Sequence, residues 1–156
     1  MDATFFMKKA IALATEHMKA GDGGPFGAVI VRDGEIVAEG WNKVSSSNDP
    51  TAHAEIDCIR KACAVLNTFD LSGCELIVNC EPCPMCLSAS YWAKIERITF
   101  AADRNDAAAA GFNDAFVYEE LQKEVRDRAM PMQQLLRDEA LKTFEIWSTL
   151  EEKIRY

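Results

Sequence analysis

No apolar run in this chain approaches the roughly 20 residues needed to cross a bilayer; stretches such as Phe26 to Val31 fall far short. The opening residues, MDATFFMKKAIALA, lack a basic leader followed by a small-residue cleavage site, so the expected location is cytoplasmic, with no membrane partner. Positive charge is also in deficit, with 17 Lys and Arg against 25 Asp and Glu and a net charge of −8. Nucleic-acid binding rests on cations that neutralise phosphates, so a polynucleotide partner is disfavoured. No repeat, low-complexity tract or linker interrupts the 156 residues, which predicts one domain over 1–156. Histidine is scarce too: only His17 and His53 are available as imidazole ligands.

What is present is the mixture of a soluble globular protein, 49% hydrophobic and 27% charged, together with six cysteines. In a reducing compartment those cysteines read as thiols or metal ligands rather than a disulfide framework. Phe6, Ala10, Leu13, Ala14 and His17 recur at helical spacing over 2–20, and the run from Gly21 to Gly24 ends that helix. Phe26 to Arg32 and Glu35 to Trp41 read as strands joined by Asp33-Gly34, a dipeptide suited to a tight turn with positive φ. SSSNDP is a loop, after which Asp49 as N-cap and Pro50 as first residue predict a helix carrying Ile56, Ile59, Ala62, Cys63 and Leu66 on one face. Cys74 to Asn79 reads as a strand, Pro84 to Lys94 as a helix and Arg97 to Ala102 as a parallel strand. Residues 103–113 read as loop or irregular helix, and Asp114 to Glu124 as a short helix. A strand is expected after Pro131 up to Leu136, and a long charged helix beyond it to Tyr156. These elements predict an α/β protein, a mixed sheet with helices on its faces.

The densest chemistry lies in CEPCPMC, residues 80–86. Zinc prefers thiolate and imidazole, and Cys-x-x-Cys lets two sulfurs reach one ion at about 2.3 Å. Cys83 and Cys86 are the better pair, because they sit at a helix start that favours thiolates. Cys80, Cys58, Cys63 and Cys74 read as buried core thiols. His17 lies near the apolar stripe of the first helix, with no acid or thiol placed beside it. His53 instead begins His-Ala-Glu at a helix start, where Glu55 can stand beside an ion without being a ligand. One His and two Cys leave a fourth position open, as in catalytic zinc sites; a further thiol such as Cys80 or Cys58 would close it into a structural one. The chemistry this favours is hydrolytic, with a lowered water pKa supplied by the metal and proton transfer by Glu55.

His53-Ala54-Glu55 with Pro82-Cys83-Pro84-Met85-Cys86 is the paired H-x-E and P-C-x-x-C signature of zinc deaminases. With GGPFGAVIV, SNDPTAHAE, IRKAC, CEPCPMCL, YWA and, near residue 111, AGFND, the chain resembles the cytidine-deaminase-fold proteins over nearly its whole length, and more narrowly the bacterial guanine deaminases. The resemblance implies a three-layer α/β/α sandwich around a mixed five-stranded sheet, one zinc per subunit, a homodimer, and conversion of guanine to xanthine and ammonia. It implies that His53, Cys83 and Cys86 hold the metal and that Glu55 shuttles the proton. Backbone amides near Ala54 and Cys83 position the site, and Asn42 holds the purine ring between the aromatic walls Phe26 and Trp92. Asp114 reads an N–H edge, which suits a group that only accepts hydrogen bonds. The C-terminal helix and Tyr156 match a segment that closes over a site and is exchanged between subunits. Asn113 stands where a second acid is expected. Alternatives are a guanosine, triazine or pterin deaminase, a tRNA adenosine deaminase with the same metal core, and an inert zinc-braced binding module.

Overall fold

The computed structural model describes residues 2–156, which form two compact units, Met1–Ala115 and Phe116–Tyr156. In the first unit, helix α1 (Ala3–Ala20) starts where the Asp2 carboxylate accepts the Phe5 N–H at 2.9 Å and stops at Gly21 in the left-handed region. Strands β1 (Gly27–Arg32) and β2 (Glu35–Trp41) form an antiparallel hairpin. Asp33 and Gly34 both take positive φ, 52° and 78°, the backbone of the tight turn their sequence predicts. After a short helix α2 (Val44–Ser47) come α3 (Ala54–Leu66), β3 (Cys74–Cys80), α4 (Pro84–Trp92), β4 (Arg97–Ala102) and α5 (Arg104–Ala109).

The sheet runs β2-β1-β3-β4, antiparallel except for the β3–β4 pair that α4 connects. It has four strands where the sequence predicts five. Residues 131–136 join no ladder, and Leu136 turns into the left-handed region (φ 52°) as the chain enters the last helix. A strand exists only where a neighbour accepts its hydrogen bonds, and this segment has none within the chain.

β1 and β3 are buried on both faces, and alternate side chains feed two cores. Ala28 and Ile30 of β1, with Leu76 and Val78 of β3, pack with Ala54, Cys58 and Ala62 of α3. Val29 and Val31, with Ile77, pack with Phe6 and Leu13 of α1. The result is three layers, helix, sheet and helix. Each fully buried aliphatic side chain here contributes about 1.5–3 kcal/mol.

The helix containing His53 starts four residues later than the sequence predicts. The Asp49 carboxylate accepts both the N–H and the hydroxyl of Thr51, at 2.8 and 2.6 Å, which closes a local turn and leaves Asp49 unable to cap a helix. His53 takes the N-cap position instead (φ −71°, ψ 158°).

From its first residue, the last of the first unit, α6 (Ala115–Gln122) runs into the second unit, where a short 3-10 turn (Val125–Asp127) precedes α7 (Arg137–Thr149). The last helix ends at Leu150 rather than running to Tyr156. The Lys153 ammonium donates back to the carbonyls of Trp147 and Ser148, at 2.9 and 2.5 Å, and satisfies the final turn. Among the described residues, no helix is long and apolar enough to cross a membrane.

Helix α3 approaches β2 at Gly40, where an added Cβ would lie 2.7 Å from Cys58 N and 2.8 Å from Cys58 Cβ. Gly40→Ala must therefore push α3 off the sheet. We expect it to cost about 1–3 kcal/mol, read as a lower midpoint in denaturant unfolding; an unchanged midpoint would show that the contact yields freely.

Candidate metal and substrate site

Two helix N-termini converge at one end of the sheet. His53 is the N-cap of α3, and Cys83 is the N-cap of α4, with Pro84 pre-set as its first residue. The positive ends of both helices favour negative charge, so thiolates are stabilised where they stand. The Cys83 sulfur accepts the Cys86 N–H at 3.5 Å, which turns Cys86 inward and buries it.

His53, Cys83 and Cys86 place their ligating atoms within 4.8 Å of one another. His53 Nδ1 lies 3.5 Å from each sulfur. Tetrahedral bonds of about 2.3 Å to sulfur and about 2.05 Å to nitrogen would separate the two by about 3.6 Å, so the donor set fits zinc. Glu55, two residues into the same helix, is buried and stands outside that triad.

The electrostatics agree with the donor chemistry. Hydrogen bonding from Cys86 and His53, working against burial, holds the Cys83 thiol down at about 4, while Cys86 is pushed up by its bond to Cys83 and by burial. The opposite directions follow from the bond between the two sulfurs, which favours charge on Cys83 and disfavours it on Cys86. His53 is raised, first by its hydrogen bond to Cys83. Burial lifts Glu55 to about 6, a range suited to taking and returning a proton near neutrality.

These groups open onto a cavity of about 400 Å³, within the roughly 300–1,000 Å³ of small-molecule sites. Asn42, buried at the end of β2, lines it, as do Phe26 and Asp114. The Phe26 ring meets Phe112 edge to face at 4.9 Å. Asn113 accepts the Ala115 N–H at 3.1 Å, a local turn that leads the chain from Asp114 into α6. Ala54 is the first residue of α3; its side chain is in the core, and the leading amides of a helix have no partner within it.

Trp92 is not brought to the cavity. It lies six positions past Cys86, about 240° around the helix, and is 70% exposed at the end of α4. Tyr156 belongs to the second unit and is largely exposed. The sequence reading also missed a pair that lines the cavity: the Arg104 guanidinium donates to Glu81 at 2.6 Å from Nη2 and 3.1 Å from Nε, and the Arg104 N–H adds a third bond at 3.0 Å. Nothing in the spacing of Glu81 and Arg104 announces that contact, since it joins the loop after β3 to the start of α5.

Residues 1–102 match the cytidine and deoxycytidylate deaminase zinc-binding region. Over 156 residues the chain is 51% identical to guanine deaminase of Bacillus subtilis, covering 100% of both chains. The X-ray structure of that protein superposes with a TM-score of 0.97 over 100% of this chain and 99% of the other. The chain is also 44% identical over 102 residues to a tRNA-specific adenosine deaminase of Aquifex aeolicus, 65% of this chain and 67% of that one. A solved guanine deaminase from Nitrosomonas europaea is 35% identical, with a TM-score of 0.67 over 70% of this chain and 63% of that one. The matched zinc-binding region over 1–102 and 51% identity along the whole chain, with the His53, Cys83 and Cys86 group where that region would need a metal site, place this chain in the cytidine and deoxycytidylate deaminase family.

Proposed function

We propose that this chain converts guanine and water to xanthine and ammonia, with one zinc per subunit. The observation that carries the reading is 51% identity to a guanine deaminase along the entire chain, including residues 103–156, where the zinc-binding region has ended. His53, Cys83 and Cys86 would hold the metal. When bound, zinc lowers the pKa of water towards about 7 and so supplies hydroxide at neutral pH.

The chain's own groups do the rest. Glu55, ionised, takes a proton from the attacking water and, once protonated, returns it to the departing nitrogen. Its burial excludes bulk water and keeps the two states close in energy. Asn42 offers an amide to the ring, Phe26 packs against a face of it, and Asp114 accepts from its N–H edge. The cavity's acids, Glu55, Glu81 and Asp114, suit an uncharged base over a phosphorylated one, and the Arg104 guanidinium is already engaged by Glu81.

The working form would be a homodimer in which the C-terminal segment ending at Tyr156 is exchanged and closes the partner's site. Supporting this, no residue of Phe116–Tyr156 is buried within the single chain, while Phe116, Leu135, Phe144, Ile146 and Ile154 are exposed. An apolar surface of this kind calls for a covering partner.

Purified protein incubated with guanine, guanosine, adenine, cytosine and a tRNA anticodon stem-loop should release ammonia rapidly from guanine alone; release from another member instead would refute guanine as the substrate. Glu55→Ala is expected to keep its zinc and lose at least about a hundredfold in turnover, and loss of metal in that variant would make Glu55 a ligand. Cys83→Ser and His53→Ala should each lose metal and activity together, read by elemental analysis beside the rate. Asp114→Asn should keep zinc and lose guanine turnover selectively; a rate equal to wild type would leave Asp114 without a role in recognition.

A further inference from the structure

Asn42 is held more tightly than its place at a strand end requires. Its Oδ1 accepts two backbone N–H groups, from Gly24 and Val44, both at 3.1 Å. Its own N–H donates to the Phe26 carbonyl at 3.0 Å. Because both partners of the side-chain atom are donors, that atom must be the oxygen, which fixes the orientation of the carboxamide. The Nδ2 group makes no hydrogen bond among the described residues, and it is not a buried orphan either. Asn42 therefore has only donors left for a molecule in the cavity it lines.

The oxygen is reached because the loop before β1 passes over it without a side chain. At Gly23 an added Cβ would fall inside contact distance of both Asn42 O and Oδ1 and only 2.7 Å from the Asn42 carbonyl carbon. Real Cβ atoms do not tolerate such contacts, and the obstruction includes backbone, so the loop and Asn42 could not both stay in place. The two loops are stapled further by the Ser46 N–H and the Ser45 hydroxyl, each 3.3 Å from the Asp22 carbonyl.

We propose that Gly23 is a positioning residue of the substrate site. By lacking a side chain it lets Gly24 and Val44 lock the oxygen of Asn42, so the site reads its ligand there with N–H donors alone and selects a ring that presents a lone-pair atom at that point. Guanine has such atoms in its ring nitrogens and carbonyl, and the inference rests on the purine reading given above.

Gly23→Ala is expected to raise KM for guanine about tenfold with zinc content retained and kcat within about threefold, the pattern of lost uniform binding. Asn42→Asp keeps an acceptor for both N–H groups but replaces the donor with an oxygen, so it should bind guanine at least about tenfold more weakly with fold and metal intact. In the Asn42→Asp background, adding Gly23→Ala should change KM by less than about threefold, because the glycine acts through Asn42. A full multiplicative effect, or wild-type KM in either single variant, would overturn the proposal. Crystal structures of wild type and Gly23→Ala separate this from the choice of substrate: inactivity of wild type on guanine would sink the functional reading, whereas both 3.1 Å bonds to Oδ1 surviving in Gly23→Ala would sink the clamp.

Discussion

Everything at the site depends on two helices beginning at the same place. A helix start exposes unpaired N–H groups and the positive end of its dipole, and the chain fills both N-cap positions, His53 and Cys83, with groups able to bind metal. Such caps satisfy less of the helix than Asp or Ser would, and α3 has no side-chain cap bond at all. The local loss is made up by packing: Ala54, Cys58 and Ala62 are fully buried against β1 and β3. The sheet thus holds α3 where its own first turn would not, and the close approach at Gly40 sets how far His53 and Glu55 extend past the strand ends.

The same convergence creates an electrostatic conflict that explains the shifted groups. Two sulfurs, a buried carboxylate and the nearby Asp114 press negative charge into one space, where His53 is the adjoining cation-forming group and Arg104 is engaged by Glu81. Glu55 is pushed up by burial, and Cys83 and Cys86 cannot both shed their protons without help. A divalent cation is the natural resolution, since it favours both thiolates and a neutral imidazole. A purely structural brace would have no comparable use for Glu55, placed beside the triad and kept from solvent.

Local chemistry was legible wherever one residue decides one feature. Asp33-Gly34 could be read as a tight turn because few other dipeptides accept two positive φ values, and Pro84 marked the start of α4 because it cannot sit deeper in a helix. Asp49 misled because its side chain has two uses, as helix cap or as turn acceptor, and Thr51 claims it for the second. Residues 131–136 hold no β-branched or aromatic residue, and a strand there would need a pairing neighbour that the segment alone does not show. The resemblance implies Trp92 as a wall of the pocket, whereas its position on α4 leaves it exposed and out of the cavity lining. The Glu81–Arg104 bridge joins a loop to the first residue of α5, and the Gly23–Asn42 contact joins two loops; for such meetings a one-dimensional pattern holds no period.

The cavity draws on two parts of the chain that differ in kind. His53, Glu55 and Cys83 stand on the ends of packed helices within residues 1–102, whereas Arg104, Phe112, Asn113 and Asp114 follow in one contiguous stretch outside that matched region. The groups that would face a ring are thus divided between Phe26 and Asn42 in the first part and the stretch after residue 102, and the two parts meet at the Glu81–Arg104 bridge and the Phe26–Phe112 contact. An insertion or exchange after residue 102 would therefore reshape one wall of the cavity while Asn42 and the two helix starts that carry His53 and Cys83 stay where the sheet holds them.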